Sequence, residues 1–245
     1  MKRFAVIGSP IAHSKSPEIY APLFEKYGIE ADFSKILFDT DMLPDLRSIT
    51  ADLYGFAVTM PLKKAIIPYL DRLDGTAADC GAVNIVSTAG GVYTGFNTDG
   101  DGLVDALREA GFDPEGKTAC ILGRGGAAGS TYRALERNGA KPMFLVRSLS
   151  GSTSFDERLI TDFHETADLF INATPLGMKG REDFSDFRLL DTICPGLVFD
   201  IVYLESGKTK LISEAAMRGL GTVDGSRMLY MQALRAFKIF TGFDA

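Results

Sequence analysis

Short apolar runs of strand type alternate with segments of helical periodicity along the whole chain, which restricts the fold to α/β architecture with mostly parallel sheets. Strand-like runs fall at 4–7, 34–38, 55–59, 84–87, 92–95, 118–122, 142–146, 169–173 and 197–202, with helical patterns between most of them. No internal repeat or low-complexity tract interrupts the series. A domain boundary is expected near 100–116, where GDGLVDALREAGFDPEG forms an amphipathic helix with Leu103, Leu107 and Ala110 on one face, followed by a turn. Beyond that turn the pattern reads as the fresh start of a βαβ unit. At 245 residues, 46% of them hydrophobic, the chain is long enough for one large domain or two modest ones.

Charge and cysteine usage exclude several function classes. The net charge is −6, with no Lys/Arg cluster and no interleaved aromatic stripe, so the electrostatic footprint of a nucleic-acid binder is missing. A small-molecule site is expected instead. Cys80, Cys120 and Cys194 are too few and too scattered for a disulfide framework or a CxxC metal site, and only His13 and His164 offer imidazole. No metal is expected, and the thiols fit the core of a protein in a reducing cytoplasm. No apolar stretch reaches the roughly 20 residues of a membrane span, and no signal peptide precedes the turn at Gly8.

Near the start, FAVIGSPIAHSKSPEIYAPLF runs a strand into a turn and then a helix. Ser14 and Ser16 therefore sit at a strand's exit and a helix's entrance, where free N–H groups and the helix dipole favour a small anion. The plainer reading makes Ser16 the helix cap, with Pro17 in the first helical position. That role leaves Ser14 unexplained and is compatible with ligand binding.

The second βαβ unit opens with TACILGRGGAAGSTYRALERNGA, a strand, a glycine-rich turn and a helix closed by Gly139. Gly123, Gly125 and Ala128 fit the GxGxxA form of the dinucleotide fingerprint, in which absent side chains let backbone amides approach a pyrophosphate. Without a ligand the same pattern is a tight strand-to-helix turn. About 20 residues on, where an acid would select NAD, the next strand ends in LVRS. The guanidinium of Arg147 and the hydroxyl of Ser148 suit a 2′-phosphate, so NADP is expected; otherwise Arg147 is a solvated strand-end charge.

Further polar clusters fall at strand ends in the first half. GFAVTMPLKK delivers Thr59, Lys63 and Lys64; GAVN delivers Asn84; GFNTD delivers Asn97, Thr98 and Asp99. Each has a plain explanation: strand residue, solvated charge, turn former, and for Asp99 a helix N-cap. Together they supply a carboxylate, an ammonium, amides and hydroxyls, a set suited to a polyhydroxylated acid.

The order GSPIAHSKSP, GFAVTMPLKK, GAVN, GFNTDGDG, GRGGAA, INATPLGM, DIVY and GSRMLYMQALRAFKIFTG resembles the shikimate dehydrogenase family over nearly the whole chain. The resemblance implies two αβ domains flanking a cleft: a substrate domain at 1–100, completed by the final helix at 226–245, and a Rossmann-type NADP domain at 101–225. It implies NADPH-dependent, reversible reduction of 3-dehydroshikimate to shikimate, a step towards chorismate and the aromatic amino acids, by a monomer or homodimer. Residue by residue, Ser14 and Ser16 look like the carboxylate ligands, with Thr59 and Tyr203 beside them. Lys63, Asn84, Asp99 and Gln232 match the ligands of the ring oxygens. Lys63 and Asp99 resemble the family's catalytic pair, an ammonium that exchanges a proton with the reacting oxygen and a carboxylate that orients it. Asn172, Thr174, Gly225 and Met228 match the nicotinamide side. Gly123, Arg124, Gly125, Gly126, Ala127 and Ala128, with Arg147 and Ser148, match the rest of the NADP site.

The sequence departs from the family pattern at several places. Ala57 stands for the usual asparagine of GxNVTxP, and Arg124 for a small residue of the glycine-rich turn, where it either grips a pyrophosphate or crowds it. LVRS lacks an asparagine before its arginine, and SLSGSTSFDERLITDFHET, at 148–166, is shorter and richer in serine than the usual helical crossover. LESGKT replaces the usual NP after Tyr203, and Arg227 stands beside Met228. Two alternatives stay open at this level: a paralogue acting on quinate or another cyclic hydroxy acid, and a weakly catalytic ligand-binding protein on the same fold. The second serine of SKS favours shikimate over quinate, and the intact Lys63 and Asp99 pair favours an enzyme.

Overall fold

Phe4, Ala5, Val6 and Ile7 are all buried, because their strand, β1 (Lys2–Gly8), lies inside a sheet covered on both faces. In the computed structural model, which describes residues 1–150 and 155–244, β1 is flanked by two parallel neighbours, β2 (Ala31–Leu37) and β3 (Gly55–Val58). Alternate side chains of β1 enter different cores. Ala5 and Ile7 join Phe38, Phe56 and Val58 on one face, while Phe4 and Val6 join Tyr20, Phe24 and Phe237 on the other. The sheet is completed by β4 (Arg72–Leu73), β5 (Ile85–Ser87) and β6 (Thr94–Phe96) in the order β2-β1-β3-β5-β6-β4. Only β5 runs against its neighbours. The link 88–93 between β5 and β6 is shorter than the dozen or so residues of a parallel crossover, which fixes the antiparallel sense there. This sheet and its helices form one unit, Met1–Asp99 joined by the chain from Gln232 onward.

The second unit, Gly100–Met231, holds β7 (Thr118–Leu122), β8 (Lys141–Val146), β9 (Glu157–Leu159), β10 (Leu169–Asn172), β11 (Leu197–Asp200) and β12 (Gly221–Asp224). All are parallel, in the order β12-β11-β10-β7-β8-β9. The chain builds outward from β7 to β9 and then returns to the other side of β7 as β10, which is the Rossmann order with its switch point between β7 and β10. Ala119 and Ile121 pack with Phe144, Leu135 and Leu107 on one face; Cys120 packs with Leu145, Phe170 and Ile193 on the other. Burial pushes the Cys120 thiol up to about 12, so this cysteine is a protonated core residue.

The helices are α1 (Ser16–Lys26), α2 (Leu46–Ile49), α3 (Leu62–Ala65), α4 (Gly75–Cys80), α5 (Asp99–Glu109), α6 (Gly126–Arg137), α7 (Arg188–Ile193), α8 (Lys210–Met217) and α9 (Gly225–Thr241). Ser16 is not the cap of α1. The N-cap position is Lys15, which makes no side-chain cap bond, and it is the Ser14 hydroxyl that accepts from the Ser16 N–H at 3.3 Å. Three strands lie outside the nine runs expected from sequence: β4, β9 and β12. Within 148–166, residues 151–154 lie outside the described residues, and the described ones form β9 and a 3-10 turn at Ile160–Asp162 without a helix. Among the described residues no helix is long and apolar enough to cross a membrane.

Candidate active site

In the first unit, the end of β6 and the start of α5 carry a buried polar network. Asn97, Thr98 and Asp99 are exposed by 6% or less, as is Asn84 at the entrance to β5. The Asp99 carboxylate is not spent on capping its own helix: the Asn97 side-chain oxygen takes the Asp99 N–H at 3.1 Å. Its two oxygens instead accept from Lys63 Nζ at 2.5 Å and from Asn84 Nδ2 at 2.8 Å. The Asn84 carboxamide is oriented by the Thr98 N–H, which donates to its oxygen at 2.9 Å and so turns its NH2 group towards Asp99 and the Thr98 hydroxyl. Gln232 on α9 closes the cluster, its oxygen lying 3.3 Å from Asn84 Nδ2 and 3.2 Å from Thr98 Oγ1. The Lys63 side chain keeps 23% of its surface exposed and that of Asp99 9%, so the pair is largely desolvated with the ammonium the more accessible member. Such an arrangement holds a proton donor in one place with a carboxylate fixing its direction.

Ser14 and Ser16 lie at the α1 entrance with their hydroxyls 3.2 Å apart. The segment after β1 is tied to the one after β3 by the Ser9 N–H donating to the Met60 carbonyl at 2.9 Å. Gly8 permits this approach, since a Cβ there would collide with Thr59 Cγ2 and come within 2.7 Å of the Met60 oxygen. Ala57 packs among the apolar residues beside Phe4 and Phe237.

In the second unit, the turn Gly123–Gly125 leaves β7 and α6 begins at Gly126. Gly123 adopts φ +102°, and a Cβ there would meet Thr174 Cγ2 at 2.9 Å, so glycine lets this turn lie against the loop after β10. Gly125 is the N-cap of α6 and offers no side-chain cap; open space surrounds its missing Cβ. Gly126, Ala127 and Ala128 form the first helical turn. Arg147 and Ser148 are exposed immediately after β8. Asn172 is wholly buried, and its carboxamide bonds Leu176, Thr174 and Asp200. Met228 is a buried member of this unit's core, Gly225 starts α9 against the backbone of Ile201 and Val202, and Tyr203 lies on the segment after β11.

Residues 6–86 match the family model described as shikimate dehydrogenase substrate binding domain. The chain is 34% identical to the shikimate dehydrogenase (NADP(+)) of Alkaliphilus metalliredigens, over 98% of this chain and 91% of that protein. It belongs to the shikimate dehydrogenase family. Among solved structures of that family, the Thermus thermophilus enzyme in complex with NADP(H) and shikimate superposes with a TM-score of 0.90 at 30% identity, covering 99% of this chain and 94% of that one. The Listeria monocytogenes enzyme in complex with shikimate and NAD gives 0.86 at 31% identity, covering 100% and 93%.

The uncapped start of α6, the open space at Gly125 and the switch point between β7 and β10 fit the dinucleotide that the shikimate dehydrogenase family uses: N–H groups there are free to take a pyrophosphate. One further polar residue of structural weight carries no signal in the sequence. Asp200 ends β11 in the DIVY motif and is fully buried. Its carboxylate accepts from Asn172 Nδ2 at 2.9 Å, Thr209 Oγ1 at 2.6 Å and the Val202 N–H at 3.1 Å, tying the INATPLGM and DIVY loops together.

Burial raises Asp200 from 3.8 to about 6 against the pull of those bonds. A raised acid pKa means that the folded chain holds the proton more tightly, so between about pH 4 and 6 this group's contribution to stability falls as pH rises, and stays level above. Asp200→Asn removes that slope. The stability of the variant relative to the parent is therefore expected to climb by roughly 3 kcal/mol from about pH 4 to pH 7 in denaturant titrations. A constant offset is the cost of the altered Thr209 bond; a flat or falling difference contradicts the raised carboxyl.

Proposed function

We propose that this chain catalyses the reversible NADPH-dependent reduction of 3-dehydroshikimate to shikimate, and the observation that carries the reading is the Lys63–Asp99 pair held by Asn84. NADPH supplies the hydride for the carbonyl carbon. As negative charge develops on the carbonyl oxygen, the Lys63 ammonium hydrogen-bonds it and delivers the proton, and in the oxidative direction the neutral amine takes the proton back. Asp99 holds Lys63 in line. Asn84 and Gln232 bind ring hydroxyls, and Ser14, Ser16, Thr59 and Tyr203 receive the carboxylate. Gly123 to Ala128, Arg147, Ser148, Asn172, Thr174, Gly225 and Met228 form the NADP side.

The substrate role falls to 1–100 with the final helix and the cofactor role to 101–225, except that the first turns of that helix, through Met231, pack with the second unit. Shikimate and NADP are the partners the reaction requires, whether the chain acts as monomer or homodimer, and three cysteines outside disulfides suit the cytoplasm. The test is formation of reduced nicotinamide from shikimate or quinate with NADP or NAD. Fast turnover with shikimate and NADP supports the reading; turnover with quinate alone favours a paralogue, and none with any pair leaves a binding protein.

Arg147 carries the cofactor preference in this reading. Arg147→Ala is expected to weaken NADP by about tenfold or more and NAD hardly at all, because only the 2′-phosphate offers the guanidinium charge-assisted hydrogen bonds. Equal losses in a direct binding titration would make Arg147 a support for its strand.

A further inference from the structure

Arg124, in the turn after β7, is anchored at one corner of its guanidinium. Its NH1 donates to both carboxylate oxygens of Glu157, at 3.0 and 3.3 Å, while Nε and NH2 have no protein partner among the described residues. Glu157 opens β9, and its side chain is only 5% exposed although the Arg124 side chain is 39% exposed. Two further donors hold that carboxylate: the Ser150 N–H at 2.7 Å and the Ser150 hydroxyl at 2.8 Å. These bonds keep Glu157 ionised below the usual carboxylate range despite its desolvation. Four hydrogen bonds thus fix a buried carboxylate whose outward partner is an arginine with its Nε–NH2 edge open. That edge is the planar fork that grips a phosphate with two parallel bonds.

The direction of the anchor decides which phosphate is meant. In the sheet order β10-β7-β8-β9, the switch point lies between β7 and β10 and the turn into α6 leaves the end of β7, whereas Glu157, on β9 beside Phe144 of β8, and Ser150, just after β8, lie on the opposite side of β7. In a dinucleotide fold the pyrophosphate takes the first place, and the adenosine ribose, with its 2′ substituent, reaches the end of the second strand. Glu157 draws Arg124 away from the pyrophosphate towards the ribose. We propose that Arg124, positioned by Glu157, is a second reader of the cofactor's 2′-phosphate beside Arg147, and that this pair stands in for the polar residue missing from LVRS. The proposal rests on the NADP reading above. Arg124 neither crowds the glycine-rich turn nor serves the pyrophosphate, and Glu157 is a positioning residue.

Titration of the full chain with adenosine 2′,5′-bisphosphate and with AMP, followed by calorimetry, tests this without any turnover. Arg124→Ala is expected to weaken the bisphosphate at least tenfold and AMP less than twofold. Glu157→Gln, which keeps the Ser150 contacts but loses the charge that orients Arg124, is expected to weaken the bisphosphate severalfold and leave AMP unchanged. A purely structural role for Glu157 would move both ligands together. Equal losses for both ligands in the Arg124 variant, or an unchanged preference, overturn the proposal. Arg124 is a partly exposed turn residue, so its variant decides the matter even where Glu157→Gln fails to fold. A parent chain with no preference for the bisphosphate over AMP would instead overturn the NADP reading itself.

Discussion

Lys63→Ala is expected to lower turnover with shikimate and NADP by at least ~10²-fold, within the 10²–10⁴ range of a lost general acid–base. The reason is positional as well as chemical. Lys63 Nζ is the cation on Asp99, and no other lysine or arginine is bonded to that carboxylate among the described residues. The fold is expected to survive, because Asp99 keeps its bond from Asn84 and stands at the positive start of α5. Losing the cation beside a largely buried carboxylate still lowers the thermal midpoint, so the melt is recorded beside the kinetics. Near-normal turnover in a folded variant removes Lys63 from the proton-transfer role. Asp99→Asn, which keeps a polar partner for Lys63 but no charge, is expected to fall between the variant and the parent.

Ser16→Ala gives the second large effect. A hydroxyl hydrogen-bonded to a carboxylate contributes roughly 1.5–3 kcal/mol, about one to two powers of ten in kcat/KM. The structure changes which serine gives the cleaner answer. Read as a cap, Ser16 would confound binding with helix stability, but it is Ser14 whose oxygen holds a helix-entrance N–H, while the Ser16 hydroxyl only accepts from Ser14. The defect is expected with shikimate and absent with an analogue in which hydrogen replaces the carboxylate. The same loss with both compounds means that Ser16 does not read the carboxylate.

The fold was legible wherever a strand is buried on both faces. β1, β7, β8, β10 and β11 are continuous apolar runs and stand close to where periodicity puts them. β4 escaped because two residues carry no period, and β9 because its sequence, Glu-Arg-Leu, is that of an exposed edge strand. β12, Gly221–Asp224, begins with glycine and ends with aspartate, residues that favour turns, and it forms a strand because β11 offers it a parallel edge. At the candidate site, the motifs named Lys63, Asn84 and Asp99, but not the way Asn97 takes over the capping of α5 and frees the Asp99 carboxylate for Lys63. Nor could spacing show that Gln232, far along the chain, meets Asn84 and Thr98. Asp200 and Glu157 were hidden for a related reason: neither stands in a local pattern that marks it, and only hydrogen-bond partners distant in sequence give each its role.

Catalysis by these side chains requires shikimate to lie in one orientation against them. A crystal structure of the full chain with shikimate and NADP measures that directly. The prediction is a carboxylate within hydrogen-bond reach of both the Ser14 and Ser16 hydroxyls, and Lys63 Nζ within about 2.6–3.2 Å of the hydroxyl that is oxidised. Shikimate bound with its reacting hydroxyl away from Lys63, or with its carboxylate away from both serines, would contradict it.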